Sequence, residues 1–295
     1  MQNDANHNAR ALTLLIVLAL IWGTSFILMK RGLVVFSAGE LGSIRVAAAS
    51  LFLVPVALVK LKDLRTRHYL KLFFSGMMGI FFPAFLFGLA QTRLESSVTG
   101  IMNSLTPICT LLIGVWVFSQ PFRRQSIAGI ILGLAGTVIL ILANTGGNFG
   151  GVNLFALLVI LACVFYATNV NYIKYKIADL NALTITSISL LLIGPLAVIY
   201  LFGFTEFTAK METRPGAWTA LGFIVLLGFM STSLATLLFN KLVKMTSPVY
   251  TSSVTYLIPI VAVLWGLVDG ERLFPGHFVG MAAIIGGVYL ANRKS

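Results

Sequence analysis

The chain has 295 residues, 58% hydrophobic and 10% charged, where a soluble domain is roughly 45–50% apolar and about 25% charged. That excess excludes a soluble globular fold. The formal charge of +12 would suit a nucleic-acid partner, but Lys and Arg lie in short connections between apolar blocks rather than on one solvated face, so no nucleic-acid binding is expected.

The blocks run to about twenty residues, the length a helix rising about 1.5 Å per residue needs to cross ~30 Å of hydrocarbon. In chain order they predict spans over 12–34, 38–60, 69–91, 95–117, 124–143, 152–174, 181–203, 216–238, 246–267 and 274–292. The expected fold class is an all-α integral membrane protein of ten transmembrane helices, bathed in lipid. The polar leader from Met1 to Arg10 precedes a block too long for a signal peptide and without a small-residue cleavage site, so the first span reads as retained. Cys109 and Cys163 fall inside spans and behave as small apolar side chains. Only the connection over 204–215 exceeds a few residues, which leaves no room for a soluble catalytic domain.

Basic residues are unevenly shared between the two sides. One side holds Arg10, Lys60, Lys62, Arg65, Arg67, Lys71, Arg123, Arg124, Lys174, Lys176, Lys241, Lys244, Arg293 and Lys294. The other holds Lys30, Arg31, Arg93, Lys210, Arg214 and Arg272, accompanied by Glu40, Glu95, Glu206, Glu212, Asp269 and Glu271. The positive-inside rule then puts both termini in the cytoplasm of a multi-pass inner (plasma) membrane protein.

The second half repeats the landmarks of the first. With ESSVTGIMNSLTPICTLLIGVW from Glu95 laid over SPVYTSSVTYLIPIVAVLWGLV from Ser247, Thr99 meets Thr251, Leu105 meets Leu257, Pro107 meets Pro259 and Gly114 meets Gly266. Gly129 and Gly136 fall over Gly280 and Gly287, and Trp22, Thr24 and Lys30 fall over Tyr166, Thr168 and Lys174. Each half, 1–146 and 147–295, carries five predicted spans. An odd number reverses the entry side of the second half, so the repeats are expected to be inverted, an arrangement that recurs in secondary transporters.

These residues resemble the drug/metabolite transporter superfamily, and within it the EamA-type ten-helix proteins, over nearly the whole chain. The resemblance rests on WGTSFILMK from Trp22 to Lys30, IRVAAASLFLVP around Arg45, LTPICTLLIG around Pro107 and YLIPIVAVLWGLVDGERL ending at Leu273. One departure is Gln120, where the first repeat often has a glutamate like Glu271. The resemblance implies a basket of helices around a central cavity lined mainly by the first, third and fourth helices of each repeat, with the fifth pair peripheral. It also implies export of small molecules such as amino acids or related metabolites; some relatives move nucleotide sugars or sugar phosphates.

Residue chemistry adds candidates. Proline lacks the N–H that would bond the carbonyl four residues earlier, so Pro107 frees the carbonyl of Asn103 and Pro259 that of Thr255. Freed acceptors in hydrocarbon need partners, which points either to a midplane site or to packing kinks bonded to neighbouring helices. Trp22, Thr24 and Ser25, with Tyr166, Thr168 and Asn169 on the matching helix, offer aromatic surface beside hydroxyl and amide groups, and Phe82, Phe85, Tyr250 and Tyr256 could extend the wall. Arg45 should attract an anionic solute, hold a gate by an ion pair, or snorkel to the outer interface near Glu40 or Glu271, and the last is the expectation preferred here. Lys30 and Lys174 read as pore-mouth charges or interface anchors. Glu271 reads as a brace to Arg272 or Lys30.

No Asp or Glu lies deep within a predicted span, so a buried proton carrier is not evident. Gly76 with Gly79, and Gly129 with Gly133, suit close helix packing within the bundle or at a homodimer face. His7, His68 and His277 are far apart and no HExxH, CxxC or Walker pattern occurs, so no metal, cofactor or catalytic residue is expected. A channel or a non-transporting membrane scaffold stays open as the alternative to a carrier.

Overall fold

The computed structural model describes residues 2–94, 96–120, 124–144, 154–268 and 275–292, and among these the regular structure is helical throughout. The helices are α1 Gln2–Gly32, α2 Ala38–Lys60, α3 Thr66–Ala90, α4 over 96–118, α5 Arg124–Asn144, α6 Phe155–Lys176, α7 Ala182–Phe204, the short α8 Phe207–Thr213, α9 Ala217–Met245, α10 Pro248–Val268 and α11 Pro275–Asn292. Seven of them, α1, α2, α3, α6, α7, α9 and α10, are long and apolar enough to cross a membrane. Shorter apolar stretches lie at Asn103–Phe118, Ile127–Gly136 and Phe278–Gly287. The chain is a multi-pass membrane protein.

Helix starts follow local chemistry. Ser37 caps α2 by accepting from the Glu40 N–H while the Glu40 carboxylate accepts from the Ser37 N–H, a reciprocal capping box. Asn181 Oδ1 accepts from the Thr184 N–H at the start of α7, and Ser247 Oγ accepts from the Tyr250 N–H at the start of α10, with Pro248 next to it. Four helices are interrupted. A π-helical segment occupies Met77–Phe81 in α3 and another Gly228–Leu234 in α9. A 3-10 turn at Asn103–Leu105 divides α4, and α10 breaks between Ser252 and Val254.

The surface is apolar and the interior holds many polar groups, the reverse of a soluble protein. On α1, Leu12, Ile16 and Leu20 are exposed at helical spacing while Ala11, Leu15, Leu18 and Ala19 are buried. Lipid gives no hydrophobic drive for helix association, so close packing and interhelical hydrogen bonds must hold the bundle. Asn240 Nδ2 donates to Thr186 Oγ1 (2.9 Å), Ser189 Oγ to the Leu72 carbonyl (2.8 Å), Ser233 Oγ to the Ala49 carbonyl (2.9 Å) and Asn171 Nδ2 to the Thr110 carbonyl (3.0 Å). These join α9 to α7, α7 to α3, α9 to α2 and α6 to α4.

The main pairings are α2 with α7, α5 with α11, α1 with α10 and α4 with α6. Glycine makes the α5–α11 approach possible. A Cβ on Gly287 would stand 2.5 Å from the Gly133 nitrogen and 2.7 Å from the Gly129 carbonyl oxygen, so neither helix can yield without moving backbone. The glycines expected to let helices approach therefore do so within the bundle. Gly287→Leu is expected to lower the melting temperature of the detergent-solubilised protein by several degrees. Gly203→Leu, where an added Cβ meets nothing within 4 Å, should leave it unchanged.

Candidate functional site: a central cavity

At the centre, a cavity offers about 60 Å³ to the centres of water-sized molecules, several times the ~10–15 Å³ a single water requires on that measure. Helix α1 lines it with Trp22, Ser25, Phe26 and Met29, and α2 with Arg45. Gly79 and Phe87 come from α3, Asn103 and Thr106 from α4, and Tyr166 and Asn169 from α6. The wall closes with Thr236, Phe239 and Asn240 of α9 and Ser252, Thr255 and Ile258 of α10. Helices α5 and α11 pack on each other, and none of their described residues lines the cavity.

The interruptions put hydrogen-bonding groups at this wall. Trp22 Nε1 donates to the Ser231 carbonyl in the α9 π-segment (2.9 Å), and the Ser25 and Ser231 hydroxyls bond each other. In α3, glycine at 79 lets Asn169 come close; a Cβ there would overlap the Asn169 amide, whose Oδ1 accepts from Ser75 Oγ at 2.7 Å. Pro107 and Pro259 are both buried. Of the two carbonyls they free, that of Asn103 accepts from Thr106 Oγ1 (2.7 Å) and that of Thr255 from Ser104 Oγ across the helix interface (3.0 Å).

The model of the EamA-like transporter family matches residues 9–142 and again 153–293. The chain belongs to that family. An uncharacterized transporter of Archaeoglobus fulgidus is 26% identical over 95% of this chain and 98% of its own length. The uncharacterized inner membrane transporter YedA of Escherichia coli is 25% identical over 94% of this chain and 89% of its own. A Salmonella typhimurium protein named a probable amino-acid metabolite efflux pump is 24% identical over 94% and 93%. A solved crystal structure superposes with a TM-score of 0.72 over 96% of both chains at 18% identity, a likeness of fold.

Within this EamA-like chain, six residues expected at the wall are there: Trp22, Ser25, Asn103, Tyr166, Asn169 and Thr255. Others face elsewhere. Thr24 accepts from Trp265 Nε1 at 2.9 Å, on the side of α1 against α10. Phe82 packs on Phe165, and Phe85 on Phe81 and Tyr200, away from the cavity. Thr168 bonds back to the Val164 carbonyl, Tyr250 packs among α1 and α9 side chains, and Tyr256 is fully buried against Gly133 of α5.

Arg45 does not reach the outer interface. It is 7% exposed, donates from Nε to Thr232 Oγ1 at 2.7 Å and lines the cavity. Glu40, one of the two carboxylates it was expected to approach, is buried and bound to Lys210 Nζ at 2.6 Å. The reason is packing: α2 is buried continuously from Glu40 to Ser50, so no lipid-facing path leads the guanidinium outward. Lys30 is exposed at the end of α1, and Glu271 lies outside the described residues.

Sequence reading missed Phe26, Met29, Gly79, Phe87, Thr106, Phe239, Ser252 and Ile258, and above all the polar face of α9. Thr232, Thr236 and Asn240 recur every four residues within an apolar helix, a usable signal for a face turned to the interior.

At the basic end of the bundle the helix termini cap one another. Lys174 Nζ donates to the carbonyls of Val243 and Thr246 at the end of α9, and Lys244 Nζ to the Ile177 carbonyl just past α6 (2.8 Å). Lysines there also complement the negative helix ends. Beside them, His68 Nδ1 accepts from the Arg65 N–H, which leaves the ring proton on Nε2 facing Asp179 Oδ2 at 3.0 Å. Burial opposes ionisation of Asp179, but the His68 hydrogen bond, its own backbone and the charge of Arg67 outweigh it and hold the carboxyl below the usual range. A depressed carboxyl contributes stability that is present above the ordinary carboxylate pKa and lost only as pH falls through the lower native value. Asp179 is 47% exposed, so Asp179→Ala should cost less than about 1 kcal/mol, and melting curves of the two proteins should converge only in strong acid.

Proposed function

We propose that the chain is a secondary transporter that carries small metabolites such as amino acids across the inner membrane by alternating access, in the export direction. Its ten helices form two inverted five-helix repeats, 1–146 and 147–295, with both termini cytoplasmic. The observation that carries this reading is the central cavity, mostly apolar at its wall with a few polar groups set into it and enclosed by helices drawn from both halves.

Exchange of the halves leaves the main helix pairings unchanged. Helix α1 packs on α10 as α6 packs on α4, and the second and fifth helices of each half pair with their counterparts. The π-segments fall in the third helix of each half, and the breaks of α4 and α10 in the fourth. Two such halves can trade conformations and turn one site to either face. The family model matching each half separately, the name of the Salmonella relative and the basic side of the loops support the same reading.

Counterflow in proteoliposomes tests it. Preloaded amino acids and related metabolites should accelerate uptake of the labelled solute, with saturation. Among the described residues no acidic side chain lines the cavity, so exchange should proceed without a pH gradient. Unsaturable flux would favour a channel, and folded protein with no flux of any solute a scaffold.

A further inference from the structure

The short helix α8 sits at the end of the bundle opposite the basic one, where it joins α7 to α9. Only one of its faces is engaged. Phe207, Lys210 and Met211, at helical spacing, are half-buried, while Thr208, Ala209, Glu212 and Thr213 are exposed. Phe207 packs on Phe36 and Phe202 with ring centroids 5.8 and 5.5 Å apart. Phe36 and Leu41 belong to the buried apolar cluster that also holds Phe26, Met29 and Phe87 of the cavity wall, and Phe207 and Met211 pack against that cluster. Beside them Lys210 Nζ reaches Glu40 Oε2 at 2.6 Å, the oxygen that also accepts from the Ser37 N–H at 2.7 Å. The Glu40 side chain is 1% exposed and that of Lys210 19%, so parting them strands a charge away from water. The connection ends at Gly216, in the left-handed region (φ 79°) with nothing within 4 Å of an added Cβ, a turn that glycine adopts freely and that has open space around it.

We propose that α8 is a lid over the outer end of the cavity and that the Glu40–Lys210 ion pair is its latch, which must part before the cavity opens to that face. This rests on the alternating-access reading and adds a named gate to it. The pair joins the start of α2, in the first half, to the connection between α7 and α9, in the second, so the halves cannot separate at this end while it holds. The apolar cluster beneath excludes water, and the pair sets how often the cluster is uncovered. At the basic end the closing contacts are lysines on helix carbonyls and do not use this carboxylate. Loss of the pair therefore biases the cavity toward the outer face alone.

The test is labelling of Thr236→Cys, a cavity position, by a membrane-impermeant maleimide in oriented vesicles of the full chain carrying Cys109→Ala and Cys163→Ala. Lys210→Met should raise the labelling rate from the outer face at least about threefold and lower it from the cytoplasmic face, because the state closed at the outer end loses a contact that the other state lacks. Glu40→Gln, whose amide oxygen still serves the Ser37 N–H, should do the same. Lys210→Arg, which keeps the pair, should label like the parent. The double variant should open no further than either single one, since both changes remove the same contact. A lower melting temperature with an unchanged ratio of outer to cytoplasmic labelling in Lys210→Met would make the pair a brace and overturn the inference. Should Lys210→Met fail to fold, Glu40→Gln decides it. Counterflow by the same preparations separates the two readings: solute exchange by the parent with unchanged labelling in both variants sinks the lid alone, whereas faster outer labelling of the variants without exchange of any solute upholds the lid and removes the carrier.

Discussion

Replacing Gly79 by valine is expected to cut counterflow at least about tenfold, while the same change at Gly222 leaves it intact. Gly79 sits in the π-segment of α3 and lines the cavity, where an added Cβ overlaps the Asn169 amide. Asn169 cannot simply step aside, since it is 7% exposed and held by Ser75 Oγ at 2.7 Å. Overpacking of this kind costs about 1–3 kcal/mol, and ~1.4 kcal/mol is already a factor of ten in an equilibrium. The branched side chain also fills a space with room for only a few waters. Gly222 lies in α9, where an added Cβ meets nothing within 4 Å, so Gly222→Val controls for β-branching in a membrane helix. Equal transport by Gly79→Val and Gly222→Val, measured on protein of matched melting temperature, would remove the cavity from the transport route.

Trp22→Ala is expected to abolish transport, and Trp22→Phe to reduce it about fivefold while melting a few degrees below the parent protein. The indole does two things. Its ring packs on Phe239 with centroids 5.1 Å apart, and its N–H satisfies the Ser231 carbonyl in the π-segment of α9. Phenylalanine keeps much of the first and loses the second, leaving a carbonyl short of a partner in a low-dielectric interior at a cost of about 1–3 kcal/mol. Alanine loses both, with a cavity cost of about 3–5 kcal/mol, so α1 no longer holds the bent stretch of α9. Transport rates and melting temperatures of the two variants, taken together, check this. A phenylalanine variant as impaired as the alanine one would place the whole effect on the N–H, and an alanine variant at full rate would take Trp22 out of the mechanism.

Much of the architecture was readable because membrane helices announce themselves by length. Most described helix ends lie within about three residues of the predicted spans, since an apolar run of that length has few alternatives in water or lipid, but α1 begins ten residues earlier, at Gln2, and α9 runs seven further, to Met245. Pro107 and Pro259 led directly to Asn103 and Thr255, because a missing N–H leaves an acceptor that must be answered. Orientation was harder. An apolar helix has no polar face to give its direction, so Phe82 and Phe85 could not be told from Phe87, and only Phe87 reaches the cavity.

The π-segments at Met77–Phe81 and Gly228–Leu234 had no legible signal in either half, since neither carries a proline or another residue that breaks the helical hydrogen-bond ladder. Arg45 was misjudged for a related reason: the cost of a buried guanidinium argues for escape only if a path to the interface exists, and α7 and α9 cover that path. Glu40 illustrates the same limit, since its partner Lys210 lies 170 positions away.

The central claim is that the cavity opens in turn to each face of the membrane. Thr236 lines it from α9, and Cys109 and Cys163 are the chain's two cysteines, so Thr236→Cys in a Cys109→Ala, Cys163→Ala background gives a single reporter. Labelling with a membrane-impermeant maleimide should proceed from the outside in right-side-out vesicles and from the cytoplasmic side in inverted ones, and transported solute should slow both. Labelling from one face alone, whatever the solute concentration, or from neither, would contradict it.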